Sequence, residues 1–200
     1  MKIGLFFGSF NPIHIGHLAI ANYMVAFTDM QQLWFVISPQ NPLKEKKSLL
    51  PAIHRLQLVR ESIADDTRFK ASNIEFSLPQ PSYTINTLTY LKEKHPQQEF
   101  ALIIGADNLK TFHKWKNYEE ILNQYQLYVY PRSSVMEEGT KDAEKLEMWS
   151  NHPKVKWINA PLMEISSTFI RDSIRNKKDI RHFLPDAAYK YIVEMHFYEK

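Results

Sequence analysis

The chain has 200 residues, with 25 basic and 22 acidic side chains, a formal net charge of +3 and no cysteine. This length suits one domain with a sizeable core, predicted over residues 1–200. The near-balanced charge does not indicate a surface that coats a polyanion, so no nucleic-acid partner is expected. Without cysteine, disulfides and thiol catalysis are excluded. The sequence shows neither a signal peptide nor a long uninterrupted apolar run, and a cytoplasmic protein with no membrane partner is therefore expected.

The first twenty residues predict a strand, a tight turn and a helix. Residues 3–7 form a short apolar run rich in aromatic and branched side chains, which is typical of a buried strand. Residues 8–12, Gly-Ser-Phe-Asn-Pro, supply turn chemistry, and apolar residues then recur at helical spacing. In this arrangement the helix N–H groups and the positive end of its dipole point out of the loop, so the turn predicts an anion site.

Two histidines open that helix. His14 and His17 are three residues apart and are expected on one face of the first turn, while Gly16 leaves room for a phosphate to approach the backbone. Two imidazoles that reach one phosphorus centre suit nucleotidyl transfer, in which positioning and charge stabilisation supply most of the catalysis. The remaining histidines are interpreted as ordinary surface or core residues: His54, His95, His113, His152, His182 and His196.

Strands alternate with helices along the rest of the chain. Further strands are predicted at residues 33–37, 69–78, 100–104, 126–130 and 155–158. Helices are predicted from Pro51 to about 63, from 82 to about 95, and at 115–125, 141–149, 166–176 and 186–197. The alternation predicts a Rossmann-like, doubly wound α/β fold, with a mainly parallel sheet and helices on both faces. Because ligands bind outside the carboxyl ends of such strands, the polar segments after them should meet at one edge.

Residues 165–171, Ile-Ser-Ser-Thr-Phe-Ile-Arg, form a second strong signal. Serines before a helix commonly cap its first N–H groups. Alternatively, the hydroxyls of Ser166 and Ser167 hold phosphate oxygens together with the helix N–H groups, and Arg171 adds a forked cation one turn further on. The residues alone leave both interpretations open.

Two weaker signals lie in the middle of the chain. Residues 82–84, Ser-Tyr-Thr, predict a capped helix N-terminus able to accept a small carboxylate, and Trp115 offers an aromatic face. Taken alone, Trp115 is more readily interpreted as a core residue than as a binding residue. Gly105 and Asp107 follow a predicted strand. A turn at the glycine and a helix cap at the aspartate are enough to explain both residues without a binding role.

The chain resembles a known enzyme family at both of its strong motifs. Residues 8–17, Gly-Ser-Phe-Asn-Pro-Ile-His-Ile-Gly-His, resemble the signature loop of the nucleotidylyltransferase superfamily, and specifically that of bacterial nicotinate-nucleotide adenylyltransferases. Residues 165–171 resemble the family's Ile-Ser-Ser-Thr-x-x-Arg motif. Phe7 stands where the family usually has a second glycine, and Asn11 replaces an aspartate but keeps an oxygen able to cap the turn. The resemblance extends to about Tyr198.

The resemblance implies an activity and a set of site residues. The implied reaction joins nicotinate mononucleotide to the AMP part of ATP, giving nicotinate adenine dinucleotide and pyrophosphate in NAD biosynthesis. The implied catalytic residues are His14, His17 and Arg171. The implied ATP-binding residues are Gly8, Ser9, Phe10, His14, Gly16, His17, Lys44, Gly105, Asp107, Ile165, Ser166, Ser167 and Arg171. The implied mononucleotide-binding residues are Ser82, Tyr83, Thr84, Trp115 and Arg132. Magnesium is expected to arrive with ATP and to be held mostly by substrate and water, so no protein metal ligand is predicted.

Several alternatives stay open. Residues 14–17, His-Ile-Gly-His, also spell the ATP-binding signature of class I aminoacyl-tRNA synthetases, although the chain has no room for their lysine-rich loop and tRNA-binding region. A sister enzyme acting on nicotinamide mononucleotide or phosphopantetheine would share the motifs. A regulator that binds nucleotide without turnover is the non-enzymatic alternative. The oligomeric state is not readable, and a homo-oligomer is compatible with the sequence.

Overall fold

The computed structural model describes residues 1–39, 49–132, 146, 149 and 151–199. Within these residues, six strands form one sheet. The strands are β1 (Lys2–Gly8), β2 (Gln32–Ile37), β3 (Phe69–Ser72), β4 (Glu99–Gly105), β5 (Gln126–Tyr130) and β6 (Val155–Trp157). Each predicted strand is therefore present in the sheet.

Seven helices of the described residues cover or flank the sheet. They are α1 (Ile15–Phe27), α2 (Ala52–Ser62), α3 (Thr84–Lys94), α4 (Ala106–Leu109), α5 (Tyr118–Gln124), α6 (Ser167–Arg175) and α7 (Asp186–Glu194). Short 3-10 turns lie at Ile74–Phe76, Phe112–Lys114 and Arg181–Phe183. The predicted helix at 141–149 lies largely outside the described residues.

The strand order is β3-β2-β1-β4-β5-β6, and every neighbouring pair is parallel. The chain builds outward from β1 to β3, then returns to the other side of β1 and builds outward again from β4 to β6. The winding direction therefore reverses between β1 and β4, which is where an open parallel sheet leaves a crevice beyond its carboxyl edge. The predicted Rossmann-like, doubly wound α/β fold is confirmed.

The two faces of the sheet carry separate hydrophobic cores, because successive side chains of a strand point to opposite faces. On β1, Phe6 points into the core covered by α1, α2, α6 and α7, whereas Leu5 points into the core covered by α3, α4 and α5. Gly4 lies under the first core, and a β-carbon there would stand only 2.5 Å from the Met30 sulfur. Burial on both faces explains why the strands read as continuous apolar runs rather than as alternating ones.

Three predicted boundaries are wrong. The strand predicted at 69–78 ends at Ser72, because the chain turns through Ile74–Phe76 and buries the Glu75 side chain. The helix predicted from Trp115 begins at Tyr118, after a 3-10 turn and a left-handed residue, Asn117, whose φ is 53°. The last helix ends at Glu194 rather than at 197. Among the described helices, none has the length and apolar character needed to cross a membrane.

Candidate active site

A cavity of about 370 Å³ opens at the carboxyl ends of β1 and β4. Its lining combines the end of β1 and the following turn, the end of β4, the start of α3 and the segment before α5. Of the predicted site residues, it includes Gly8, Ser9, Gly105, Ser82, Tyr83, Thr84 and Trp115. The polar segments after β1 and β4 therefore meet at this edge as predicted, and the volume suits a small-molecule site.

The signature loop between β1 and α1 is held in a demanding conformation. Phe10 is buried and has a φ of 44°, in the left-handed region that non-glycine residues rarely adopt. A β-carbon at Gly8 would stand 2.7 Å from the Phe10 ring, so the ring packs directly over this glycine. Strained residues persist where their surroundings hold them, which indicates a rigid loop.

Asn11 anchors this loop to distant parts of the chain. Its side-chain oxygen accepts hydrogen bonds from the Leu50 N–H at 3.1 Å and from the Tyr198 hydroxyl at 2.8 Å. Its main-chain carbonyl accepts from Arg171 Nη1 at 2.9 Å. The Asn11 oxygen, expected to cap the turn, therefore joins the loop to α2 and to the C-terminal segment.

His14 and His17 stack on one another at the start of α1. Their ring centroids are 3.7 Å apart, with an interplanar angle of 28°. The His14 N–H donates to His17 Nδ1 at 3.3 Å, so a neutral His17 ring carries its proton on Nε2. A β-carbon at Gly16 would lie 3.1 Å from His14 Nδ1, which shows that this glycine also makes room for the His14 ring. The two imidazoles share one face of the first turn, as predicted.

The His14 ring is almost entirely buried, with 3% of the residue exposed. Burial, together with the nearby Arg132 cation, lowers the pKa of His14 to about 3. The ring is therefore neutral around pH 7 in the unliganded protein. A bound polyphosphate would offset the charge of Arg132 and place a negative charge near the ring, which favours the protonated form.

This lowered pKa predicts a pH-dependent stability. Unfolding releases His14 to its ordinary pKa of about 6.5, so below that pH the unfolded state gains a proton that the folded state lacks. The free energy of unfolding that His14 contributes should fall by up to about 1.4 kcal/mol per pH unit as the pH decreases from about 6 to about 4. Urea unfolding of the wild type and of His14→Asn would measure this, as a difference between the two that changes with pH.

The exposed His113 supplies the matched control. The difference in free energy of unfolding between the wild type and His113→Asn, measured over the same pH range, gives the reference for replacing an exposed histidine. A pH-independent difference for His14→Asn would show that the His14 ring is not held neutral.

Helix α6 brings the second motif against the signature loop. Ser166 is its N-cap and accepts from the Phe169 N–H at 3.1 Å, while the Ser167 hydroxyl donates to the Pro12 carbonyl at 2.9 Å. The capping interpretation is thus confirmed for Ser166, and Ser167 ties the two motifs together. Ile165 lies beside Gly16, with 3.7 Å between its β-carbon and the position of a β-carbon added to the glycine.

Three nitrogen atoms at this edge are buried without a hydrogen-bond partner among the described residues. They are His14 Nδ1, Arg132 Nε and Arg171 Nε. Arg171 Nη2 contacts the Thr168 hydroxyl at 3.2 Å, and Arg132 Nη1 donates to the Met163 carbonyl at 3.0 Å. Buried donors without partners are costly, and an anion is the ligand that would satisfy two guanidinium groups at once.

Arg132 lies on the histidine side of the edge. It stacks over the Tyr130 ring, 5.2 Å from its centroid, and is close enough to His14 to lower the pKa of that ring. The described lining of the cavity that contains Ser82 and Trp115 does not include Arg132. Arg132 also donates from Nη2 to the Tyr130 hydroxyl at 3.3 Å, and Tyr130 lines the cavity.

The start of α3 forms the other half of the site. The helix begins at Thr84 with Tyr83 as its N-cap, and no side chain caps it. The predicted capping by Ser82 and Thr84 is therefore wrong. The Ser82 hydroxyl instead donates to the Glu75 carboxylate at 3.0 Å, because a buried carboxylate needs donors.

Aromatic and cationic side chains flank this helix start. Trp115 is half-buried, packs beside Phe112 at 5.2 Å between ring centroids, and lines the cavity. Lys116 Nζ lies 4.5 Å from the centroid of the Tyr83 ring, and Lys114 also lines the cavity. The pocket therefore combines aromatic surface with positive charge.

The remaining predicted residues lie at the end of β4 or outside the described region. Gly105 closes β4, and a β-carbon there would collide with the Asp107 carboxylate and the Tyr130 ring. Asp107 is exposed in the first turn of α4. Lys44 lies outside the described residues. Among the described residues, no group of three or more His, Cys, Asp or Glu side chains is arranged to hold a metal ion.

The sequence interpretation missed three residues that shape the site. Arg55 and Glu75 are buried charges, and Tyr130 is a buried tyrosine that lines the cavity. Burial raises the pKa of Glu75, whose carboxylate also accepts from the Thr87 hydroxyl at 2.9 Å. A charged residue at an apolar helix position, as Arg55 is in α2, is the one signal that could have pointed to such a role.

Comparison with known proteins identifies the family. A family model described as Cytidylyltransferase-like matches residues 5–173. A Flavobacterium johnsoniae protein named "probable nicotinate-nucleotide adenylyltransferase" is 54% identical over the whole of both chains. A protein of the same name from Bacteroides thetaiotaomicron is 42% identical, covering 97% of this chain and 92% of its own. The chain belongs to the nicotinate-nucleotide adenylyltransferase family.

Solved structures with lower sequence identity than these relatives share the fold of this chain. The nicotinic acid mononucleotide adenylyltransferase of Plasmodium falciparum, in complex with NaAD, aligns with a TM-score of 0.80 and 22% identity, covering 99% of this chain and 97% of its own. The same enzyme in complex with APC aligns with a TM-score of 0.78 and 21% identity, covering the same shares of the two chains. The sheet and its carboxyl-edge crevice are therefore the architecture of this family.

Proposed function

We propose that the chain transfers the AMP part of ATP to nicotinate mononucleotide, giving nicotinate adenine dinucleotide and releasing pyrophosphate. The observation that carries the proposal is a group of three buried nitrogens without a hydrogen-bond partner among the described residues, His14 Nδ1, Arg132 Nε and Arg171 Nε, at the sheet edge where the cavity of about 370 Å³ opens. Family membership supports the same reaction, because relatives of the same length carry that name. The proposal includes a single domain over residues 1–200 and a cytoplasmic location, and it allows a homo-oligomer.

The phosphate side of the reaction is proposed to lie at α1 and α6. The mononucleotide phosphate is already an anionic nucleophile at neutral pH, so an in-line attack on the α-phosphorus needs no general base. His14, His17 and Arg171 would stabilise the charge that develops on the phosphate oxygens. Arg132 joins them in this proposal, because its charge lowers the pKa of His14 and its buried Nε has no hydrogen-bond partner among the described residues.

The side chains at the phosphate side fit a divalent cation that is bound mainly by the nucleotide rather than by the protein. Nucleotidyl transfer generally uses a divalent metal with ATP, and Mg²⁺ is the proposed ion. Histidine and arginine predominate at the phosphate side, and Asp107 is the nearby exposed carboxylate, so the triphosphate and water would supply most ligands. When bound, the ion neutralises charge on the phosphate oxygens.

The acid substrate is favoured over its amide by the charge around the α3 N-terminus. Backbone N–H groups at Thr84 and the cations of Lys114 and Lys116 face a common pocket, and each interacts better with a carboxylate than with a neutral amide. The Glu75 carboxylate, which also borders the cavity, is engaged by the hydroxyls of Ser82 and Thr87. The amide-specific sister activity is the second candidate.

One assay tests both candidates. Pyrophosphate release would be measured with ATP and Mg²⁺, with nicotinate mononucleotide and nicotinamide mononucleotide offered separately. Turnover with the acid and at most weak turnover with the amide is the expected result. Preference for the amide would replace the proposed substrate, and ATP binding without turnover on either substrate would favour a nucleotide-binding regulator.

Trp115→Ala should weaken binding of nicotinate mononucleotide without weakening binding of ATP. Loss of the aromatic face should raise the KM for nicotinate mononucleotide by about 10- to 100-fold and leave the KM for ATP nearly unchanged, because stacking on a base-like ring is worth about 1–3 kcal/mol. Steady-state kinetics with each substrate varied in turn would show this. Trp157→Ala, at a half-exposed tryptophan of β6, is the matched control. Equal rises in both KM values would contradict the assignment.

A further inference from the structure

Arg55 is a charged side chain that lies wholly inside the protein. It projects from α2, is 0% exposed, and belongs to neither of the two sequence motifs. Its guanidinium donates to four main-chain carbonyls: Nε to Leu50 at 2.9 Å, Nη1 to Ser9 at 2.7 Å and to Ser38 at 2.8 Å, and Nη2 to Pro39 at 2.8 Å. Burial of a full charge costs desolvation free energy, and the four hydrogen bonds offset that cost. A buried arginine with so many fixed partners indicates a specific role.

The four carbonyls come from segments that border the carboxyl edge. Ser9 belongs to the signature loop after β1, Ser38 and Pro39 follow β2, and Leu50 precedes α2. One planar fork of five N–H donors therefore joins the ends of two adjacent strands and the start of a helix. A lysine could not reproduce this, because its single ammonium cannot span four acceptors in a fixed plane.

The contact with Ser9 acts directly on the strained part of the loop. Because the peptide bond is planar and trans, fixing the Ser9 carbonyl toward Arg55 turns the Phe10 N–H the opposite way. The same contact braces Phe10, whose φ is 44°. Asn11, the residue that follows Phe10, is held by Arg171 and Tyr198. The loop is thus clamped at two points that flank its strained residue.

Arg55 also carries a charge that no described carboxylate neutralises, since all four of its partners are carbonyls. Burial lowers the pKa of the guanidinium, but arginine remains protonated in proteins. The charge consequently stays directly behind the signature loop. A buried cation at low dielectric would strengthen the positive potential that the polyphosphate meets.

We propose that Arg55 is a positioning residue for adenylyl transfer, which holds the signature loop in the geometry that the ATP phosphates require. The inference rests on the proposed function, since it assumes that the loop binds those phosphates. Arg55 acts through the loop and through its charge, without contacting the reacting atoms.

The test compares Arg55→Lys with the wild type at a temperature where urea titration shows both to be folded. The expected result is a fall in kcat of about 10- to 100-fold with an increased KM for ATP, because small misplacements of a positioning group have effects of this size. The KM for nicotinate mononucleotide should rise less than the KM for ATP, because Arg55 bonds Ser9 and Ser38 at one end of the cavity but no residue of α3 or of the segment around Trp115. Calorimetric binding of a non-hydrolysable ATP analogue should weaken in parallel.

Arg60→Lys, at an exposed arginine of the same helix, is the matched control and should retain wild-type kinetics. Arg55→Gln, which keeps donors without charge, is the second variant if the lysine variant does not fold. A lower urea midpoint with unchanged kcat and unchanged KM for ATP would make Arg55 purely structural and overturn the inference, as would loss of the fold in both variants. Failure of the wild type to release pyrophosphate would refute the proposed function instead, and the ATP-analogue affinities of wild type and variant would still decide the role of Arg55.

Discussion

Replacing His17 with alanine is expected to lower kcat for pyrophosphate release by about 1,000-fold, the size of effect seen when a preorganised donor to a developing oxyanion is removed. The ring is held at the first turn of α1 by the stack with His14 and by the His14 N–H. With Nδ1 accepting that N–H, the proton of the neutral ring lies on Nε2 and can be directed at a phosphate oxygen. Because this interaction strengthens as charge develops, kcat should fall far more than KM rises.

Single-turnover kinetics with ATP and nicotinate mononucleotide would measure this effect directly. His113→Ala is the control, because His113 is exposed and does not belong to the lining of the cavity. Urea unfolding should show that the His17 variant remains folded. A variant that kept more than about a tenth of the wild-type kcat would remove His17 from the catalytic group.

Replacing Arg171 with methionine is the second large expected effect, a loss in kcat/KM of about 100- to 1,000-fold. Arg171 has two tasks in this structure. Its Nη1 holds the Asn11 carbonyl of the signature loop, while its buried Nε has no hydrogen-bond partner among the described residues. Removing the side chain would therefore release the loop and delete a forked cation at the same time.

Arg171→Lys separates these two tasks, because lysine keeps the charge but not the fork. We expect an intermediate loss, with weaker ATP binding than the wild type. The control is Arg175→Met, one turn further along α6, where the exposed guanidinium pairs with Asp172 at 2.6 Å. Wild-type kinetics in Arg171→Met would refute the assignment of the second motif to the phosphate site.

Much of the architecture could be predicted because it depends on local patterns. Strands that are buried on both faces must be continuously apolar, so β1, β4 and β5 were recognisable from composition and length alone. The strand-turn-helix unit that carries His14 and His17 is likewise contiguous in the chain, and its stacked pair follows from three-residue spacing on a helix. The end of β3 at Ser72, one of the boundaries that failed, coincides with the turn that buries Glu75.

The contacts that hold the site could not be predicted, because their partners are far apart in the chain. Asn11 and Tyr198 are separated by 187 positions, and Ser9 and Arg55 by 46. No local pattern distinguishes a tyrosine near the C-terminus that reaches the signature loop from one that faces water. The placement of Arg132 beside His14 also depends on how β5 lies in the sheet.

By itself, the sequence determined the alternation of elements, the two motifs and the family that they indicate, since each depends on residues that are near neighbours in the chain. Only the tertiary structure decided that Ser82 bonds Glu75 instead of capping α3, and that His14 is buried and neutral. It also decided that Arg55 braces the loop from behind. The physical reason is that burial and hydrogen-bond partners are properties of the packed chain, because each polar group takes whichever partner the fold brings within reach.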